Sequence, residues 1–159
     1  MAYWWVNQGT RYRIERTLGH MYAPIEDKRG ARPAFYENMT KVNPGDVCLH
    51  YVEGTFYSVS RVTTSAIEAD RPRLPDETAA EEKVASLDKP GRLVETQYHD
   101  LSPPIEKKSL PEDWLVPKLG PFYAGAWAGR PKMGYLWPVT DDFVGRLRTR
   151  FPDRWPSGF

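Results

Sequence analysis

Asn43-Pro44-Gly45-Asp46-Val47-Cys48-Leu49-His50-Tyr51-Val52-Glu53-Gly54-Thr55-Phe56-Tyr57-Ser58-Val59-Ser60-Arg61-Val62 is the stretch on which the fold turns. Pro44 and Gly45 occupy the two central positions of a type II turn, where proline presets the first φ and glycine accepts the positive second one. Two β-prone runs, 47–52 and 56–62, then flank Glu53-Gly54-Thr55, which is the spacing of a hairpin. Working towards the N-terminus, Phe35 to Val42 reads as a short helical turn, and the polar, basic run from Glu26 to Pro33 as a loop. His20-Met21-Tyr22-Ala23-Pro24 is extended, because proline disfavours helix in the residue before it. Arg11 to Leu18 forms a short amphipathic helix with Ile14 and Leu18 in phase, Thr10 as its cap and Gly19 as its stop. Tyr3-Trp4-Trp5-Val6-Asn7 alternates Trp4 and Val6 against Tyr3, Trp5 and Asn7, a strand covered on both faces.

Towards the C-terminus, Arg71 to Pro90 is polar and acidic with three prolines and reads as an insertion or mobile connection. Gly91 to Tyr98 returns to strand alternation, which Ser102-Pro103-Pro104-Ile105 ends. Lys118 to Trp137, rich in glycine and aromatics, suits a loop packed on a ligand or on the edge of the core. Thr140 caps a terminal helix with Asp141 and Asp142 at its positive end; Phe143, Leu147 and Phe151 share one face until Pro152, with Arg146, Arg148 and Arg150 off it. At least four strands and two helices make this an α+β chain without internal repeats.

The 159 residues, 40% hydrophobic and 27% charged, suit one domain with its own core. No apolar run approaches the roughly 20 residues needed to cross a bilayer, and the N-terminus carries no signal-peptide pattern. The one cysteine, Cys48, permits no internal disulfide and no cysteine-based metal cluster, so a reducing cytoplasm is expected. A net charge of +1 hides segregation: Arg11, Arg13, Arg16, Lys28, Arg29 and Arg32 gather early, Arg146 to Arg154 late, and acids between Glu68 and Glu82. Aromatics at 13% in so polar a chain divide between core packing and stacking platforms for bases or sugars.

The order of strand, helix, aromatic before a loop, Pro-Gly-Asp turn and hairpin resembles the EVE domains of the PUA-like superfamily, themselves similar to the YTH readers of methylated adenine. The resemblance rests on Tyr3-Trp4-Trp5-Val6, on His20-Met21-Tyr22-Ala23-Pro24, and on Lys41-Val42-Asn43-Pro44-Gly45-Asp46-Val47 running into His50-Tyr51; it covers the first two fifths of the chain. Leu93 to Tyr98 and Gly134-Tyr135-Leu136-Trp137-Pro138 follow the same plan loosely. The family's aromatic before the loop is commonly Trp and is Tyr22 here. The resemblance implies a PUA-like twisted, partly open β-barrel of about five or six strands with helices at its rim, a single domain over 1–159 with the polar insertion near 68–90. It also implies a pocket in which an extruded base lies between aromatic walls. Such modules serve as specificity domains of modification-dependent restriction endonucleases, so modified double-stranded DNA (5-methylcytosine, 5-hydroxymethylcytosine or N6-methyladenine) is the expected partner, with a fused or associated nuclease. An RNA-binding module acting on tRNA or another structured RNA is the alternative, and a small-molecule or nucleotide-binding regulator a more distant one.

A reader that inspects a base within a duplex has to extrude it and recover the unstacking cost on aromatic walls. Tyr22, beside Ala23 and between a helix end and a basic loop, is the first candidate for a wall; packing under that loop is the competing account. Trp5 shares a strand face with Asn7, presenting a ring and an amide from one element; core packing is the competing account. Phe122 and Trp127, with Tyr123, are candidates for the second wall. Asn7, Gln8 and Asn38 offer amides that pair bidentately with a base edge. Arg11, Arg13, Lys28, Arg29 and Arg32 would hold phosphates, which positions nucleic acid without specifying sequence.

No enzyme is expected. His20, His50 and His99 lack metal-ligand spacing, and no Gly-rich phosphate loop, GxSxG or Cys-His pair is present. Pro75-Asp76 followed by Glu81-Glu82-Lys83 imitates a nuclease motif from within a Pro-rich polar run, whereas that motif needs two adjacent strands to converge on a metal. No cofactor and no metal are expected.

Overall fold

The computed structural model describes residues 1–82 and 89–159. Its strands are β1 (Tyr3–Asn7), β2 (His20–Pro24), β3 (Val47–Val52), β4 (Thr55–Val62), β5 (Ile67–Ala69), β6 (Gly91–Glu106) and β7 (Leu136–Val139). Its helices are α1 (Tyr12–Leu18), α2 (Ala34–Glu37), α3 (Ala79–Glu82) and α4 (Asp141–Arg150). The sheet runs β2-β6-β4-β3-β1-β7, with β5 pairing β6 alongside. β1 lies parallel to β3, and the other pairs are antiparallel. The expected hairpin is β3–β4, and Gly45 and Gly54 take the positive φ its turns require.

Alternation along β1 separates two cores. Trp5 packs with Tyr51, Phe56, Phe122 and Phe143 under α4 and the chain from Leu110 to Phe122. Trp4 and Val6 pack with Met21, Ala23, Cys48, Val94 and Leu136. This second cluster joins side chains from β2 and β7, the two ends of the sheet order, so the sheet curls around it as a partly open α+β barrel. Among the described residues seven strands stand where about five or six were expected; the additions include β5, at the start of the stretch read as an insertion or mobile connection near 68–90.

β6 continues to Glu106 instead of ending near Ser102. The ladder passes from Ser58↔Asp100 to Phe56↔Ile105, leaving Leu101 to Pro104 as a bulge in the long strand that sends Leu101 into the core and exposes Ser102 to Pro104. Pro103 and Pro104 therefore cost no ladder hydrogen bond. α1 also departs from expectation. Arg11, not Thr10, stands at its N-cap, and no side chain caps it. Its buried stripe is Arg11, Ile14 and Glu15, while Leu18 is exposed, because the helix lies over a polar gap in the barrel. Thr140 does cap α4, accepting a hydrogen bond from the Phe143 amide.

That gap lies between β2 and β7, which share no ladder bonds among the described residues. Glu15 fills it. The Tyr22 amide of β2 donates to its carboxylate at 3.0 Å, and the hydroxyl of Tyr135, just before β7, donates to both its oxygens at 2.9 Å. Gln8 Nε2 donates to it as well. Behind Gln8 the interior polar chain continues. His50 Nδ1 lies 2.7 Å from Gln8 Oε1, His50 Nε2 lies 2.7 Å from Ser60 Oγ, and Thr96 donates to Ser60. Since the Gln8 amide nitrogen donates to Glu15 and Tyr98, its oxygen must accept, which assigns the proton on His50 to Nδ1.

Glu15→Ala would strand the Tyr135 hydroxyl, the Tyr22 amide and the Gln8 amide; a loss of about 3 to 5 kcal/mol is expected in urea unfolding, with a smaller loss for Glu15→Gln. Burial drives the His50 pKa down to about 3, so the folded protein keeps its imidazole neutral while the unfolded chain protonates below about 6.5. Its contribution is complete above the unfolded pKa and is lost as pH falls from there towards 3. Between pH 6 and 4 the wild type should lose about 1.4 kcal/mol per pH unit more than His50→Asn. Parallel stability curves would contradict this.

Candidate nucleic-acid interface

The residues proposed from sequence separate in space. Trp5 is fully buried, with Tyr51 at 4.6 Å and Phe56 and Phe122 edge-on at 4.8 and 5.4 Å between ring centroids. Neither Trp5 nor Phe122 has a face left for a base; both belong to the core, because the outer side of β1 is roofed by α4. Asn7 accepts from Trp5 Nε1 and donates to the carbonyls of Lys132 and Gly134, so it pins the chain leading to β7. Asn38 donates to the Leu136 carbonyl and holds the free edge of β7. Gln8 is committed to the interior polar chain. Trp127 is 55% exposed, edge-on to Tyr123 with Arg130 over its ring, on a turn separate from Tyr22.

Tyr22 and Ala23 stay together at the seam. Tyr22 extends from β2 across Gly91 of β6, where a Cβ would sit 2.2 Å from its ring; only glycine lets the ring lie there. The hydroxyl donates to the Lys89 carbonyl at 3.1 Å. The ring is 1% exposed, and Arg11 lies with its guanidinium carbon 5.5 Å from the ring centroid, a cation–π contact that covers it. Burial pushes the Tyr22 phenol upward, and the charges of Arg11 and Arg71 act against that. His20, two residues earlier and on the same strand face, is lowered to about 4, by burial first and then by Arg11.

Residues 70–82 run as a strap across this side. Ala69 pairs with Gly91, and Arg71 follows it, buried, with Nη1 donating to both oxygens of Glu77 at 3.0 Å. Arg13 ties the strap to α1 through Glu81 at 2.9 Å and Asp76 at 3.4 Å. The stretch read as an insertion or mobile connection is anchored as far as Glu82, and 83–88 lie outside the described residues. Of the nuclease-like run, Asp76 and Glu81 are partners of Arg13, and Lys83 lies outside the described residues.

Of the five basic residues proposed for phosphate, Arg11 is buried at 7% exposure against the Tyr22 ring and is not a surface cation. Arg13 is held in the strap. Lys28 and Arg29 are exposed on a loop whose backbone is fixed by Asp27, which accepts from the amides of Arg29 and Ala31. Arg32, 3.5 Å from Glu26, lines a cavity of about 290 Å³ with Ile25, Glu26, Glu68, Lys89 and Pro90. That places it at the hydroxyl end of Tyr22. Glu15, Arg71, His20 and Gly91 escaped the sequence reading. The i,i+4 pair Arg11–Glu15, in phase with Ile14, was the one signal available for them.

No family model and no curated protein matches the chain. Solved structures do. Human THYN1 protein in complex with 5-methylcytosine containing DNA aligns over 94% of this chain and 97% of its own, at 11% identity and TM-score 0.56. The YTH domain of Zygosaccharomyces rouxii MRB1 protein, in complex with N6-methyladenosine RNA, aligns over 94% and 86%, at 8% identity and TM-score 0.58. A Pseudomonas syringae protein aligns over 94% and 99%, at 12% identity and TM-score 0.58. The chain has the PUA-like fold that THYN1 and the YTH domains share.

Proposed function

We propose that this protein reads a modified base in DNA, extruding it from the duplex and receiving it against Tyr22. The observation that carries the proposal is the Arg11 guanidinium stacked on Tyr22 with its Nε and Nη2 unpartnered among the described residues. The Tyr22 ring is buried between Gly91 and that guanidinium, so a base would enter by displacing Arg11, and the exposed cations Lys28 and Arg29 stand on a nearby loop. Extrusion costs a few kcal/mol. Stacking returns roughly 1 to 3 kcal/mol per base, and phosphate contacts supply the rest in a salt-dependent way. The likeness to THYN1, solved with 5-methylcytosine containing DNA, supports DNA as the ligand. The likeness to a YTH domain solved with N6-methyladenosine RNA favours RNA as the second reading. In a modification-dependent restriction system, such a reader would direct a nuclease carried by another domain or a partner, and would not itself be an enzyme.

Fluorescence-anisotropy titration against matched duplexes carrying cytosine, 5-methylcytosine, 5-hydroxymethylcytosine, adenine or N6-methyladenine, with single-stranded RNA as a further arm, tests this. One modified duplex should bind at least tenfold more tightly than its unmodified match. Equal affinity for all DNAs would overturn the proposal, and preference for the RNA arm would establish the second reading. Tyr22→Ala should abolish that preference, Tyr22→Phe should retain it, and Arg29→Ala should lower all affinities together and reduce their salt dependence.

A further inference from the structure

Burial leaves several donors at the Tyr22 slot without partners among the described residues. They are Nε and Nη2 of Arg11, Nε and Nη2 of Arg71, and Nε2 of His20. All three residues are more than nine-tenths buried. A guanidinium cannot escape burial by losing its proton, so each such edge needs an acceptor. The neighbouring carboxylates are already engaged. Glu15 takes Gln8, Tyr135 and the Tyr22 amide; Glu77 takes Arg71 Nη1 and the Leu74 amide.

The unpartnered donors follow a pattern. In both arginines the open atoms are Nε and Nη2, the adjacent pair that grips a carboxylate or phosphate through two parallel N–H···O bonds. Arg11 reaches the slot over the face of Tyr22. Arg71 stands on the strap two residues beyond Ala69, the register partner of the glycine beneath Tyr22, close enough for its charge to act on the Tyr22 phenol. A neutral methylated base stacked on Tyr22 would leave these edges empty.

We propose that the slot holds an oxyanion carried by the extruded nucleotide, gripped by the open guanidinium edges of Arg11 and Arg71. The oxyanion is either a carboxylate on the base, as in 5-carboxylcytosine, or the phosphate of the extruded nucleotide. The proposal rests on the reading of Tyr22 as the base slot.

The test is titration of the full chain with 5-carboxy-2′-deoxycytidine, 5-methyl-2′-deoxycytidine, 2′-deoxycytidine 5′-monophosphate and inorganic phosphate. It is followed by the arginine Nε–H resonances in nitrogen-edited spectra, with sodium chloride at matched ionic strength as the control. The Arg11 and Arg71 signals should shift with the carboxylated nucleoside if the anion is on the base, or with the monophosphate if it is the backbone phosphate. Arg11→Gln, checked for folding by its thermal transition, should weaken that binding at least tenfold. Signals unmoved by every anion, or moved equally by chloride, would overturn the proposal, with the open edges then simply hydrated. Selective binding of a methylated duplex with unchanged affinity in Arg11→Gln would also overturn it while leaving the base reader standing. A response to free anions without any preference among modified duplexes would keep the anion slot and remove the base reader.

Discussion

Everything at this protein's open seam depends on one buried carboxylate. A sheet of this order ends in two strands, β2 and β7, that curl towards each other without meeting in a ladder. Their facing polar groups would be costly if left dry. Glu15 resolves this from a third element, accepting from the backbone of β2, from the tyrosine that introduces β7 and from the glutamine that closes β1. Burial pushes its pKa up, and Arg11 and these donors act against that, so the carboxylate's acceptor capacity is what holds α1 to the barrel. The short helix is thereby placed by chemistry rather than by an apolar stripe, which its sequence hardly possesses.

The same constraint creates the slot. Because Glu15 draws α1 against β2, Arg11 at the start of the helix is carried over the Tyr22 ring. Because Gly91 lacks a side chain, the ring lies flat across β6 rather than being pushed into solvent. The strap from Asp70 to Glu82 then closes the far side, its Arg71 paired with Glu77 through Nη1 alone and its Glu81 held by Arg13. Two cations and a tyrosine are thus brought together by three separate pieces of chain, none of which would hold that arrangement alone.

The framework was legible in the sequence for identifiable reasons. Alternation in β1 and the Pro-Gly turn into the β3–β4 hairpin are local signals, and both appear in the structure as read. Motif order put Tyr22 and Ala23 side by side on an extended segment, and both lie on β2. What failed was anything decided by long-range packing. The alternation of β1 correctly put Trp5 and Asn7 on one face, but no local rule says that α4, more than a hundred residues later, covers that face. Arg71 and Glu77 sit in a Pro-rich polar stretch whose composition suggests mobility; only the pairing of β5 with β6 and the reach of Arg13 reveal it as ordered strap. Arg11 looked like one of several surface cations because its burial follows from where Glu15 sits.

The account stands most directly on where the base goes. A crystal structure of the protein with a duplex carrying the modification it prefers in solution should show that base outside the helix, its plane against the Tyr22 ring and the Arg11 guanidinium moved from its stacked position to the ligand's edge. A duplex with every base still stacked, touched by Lys28 and Arg29 while Arg11 remains over Tyr22, would contradict it.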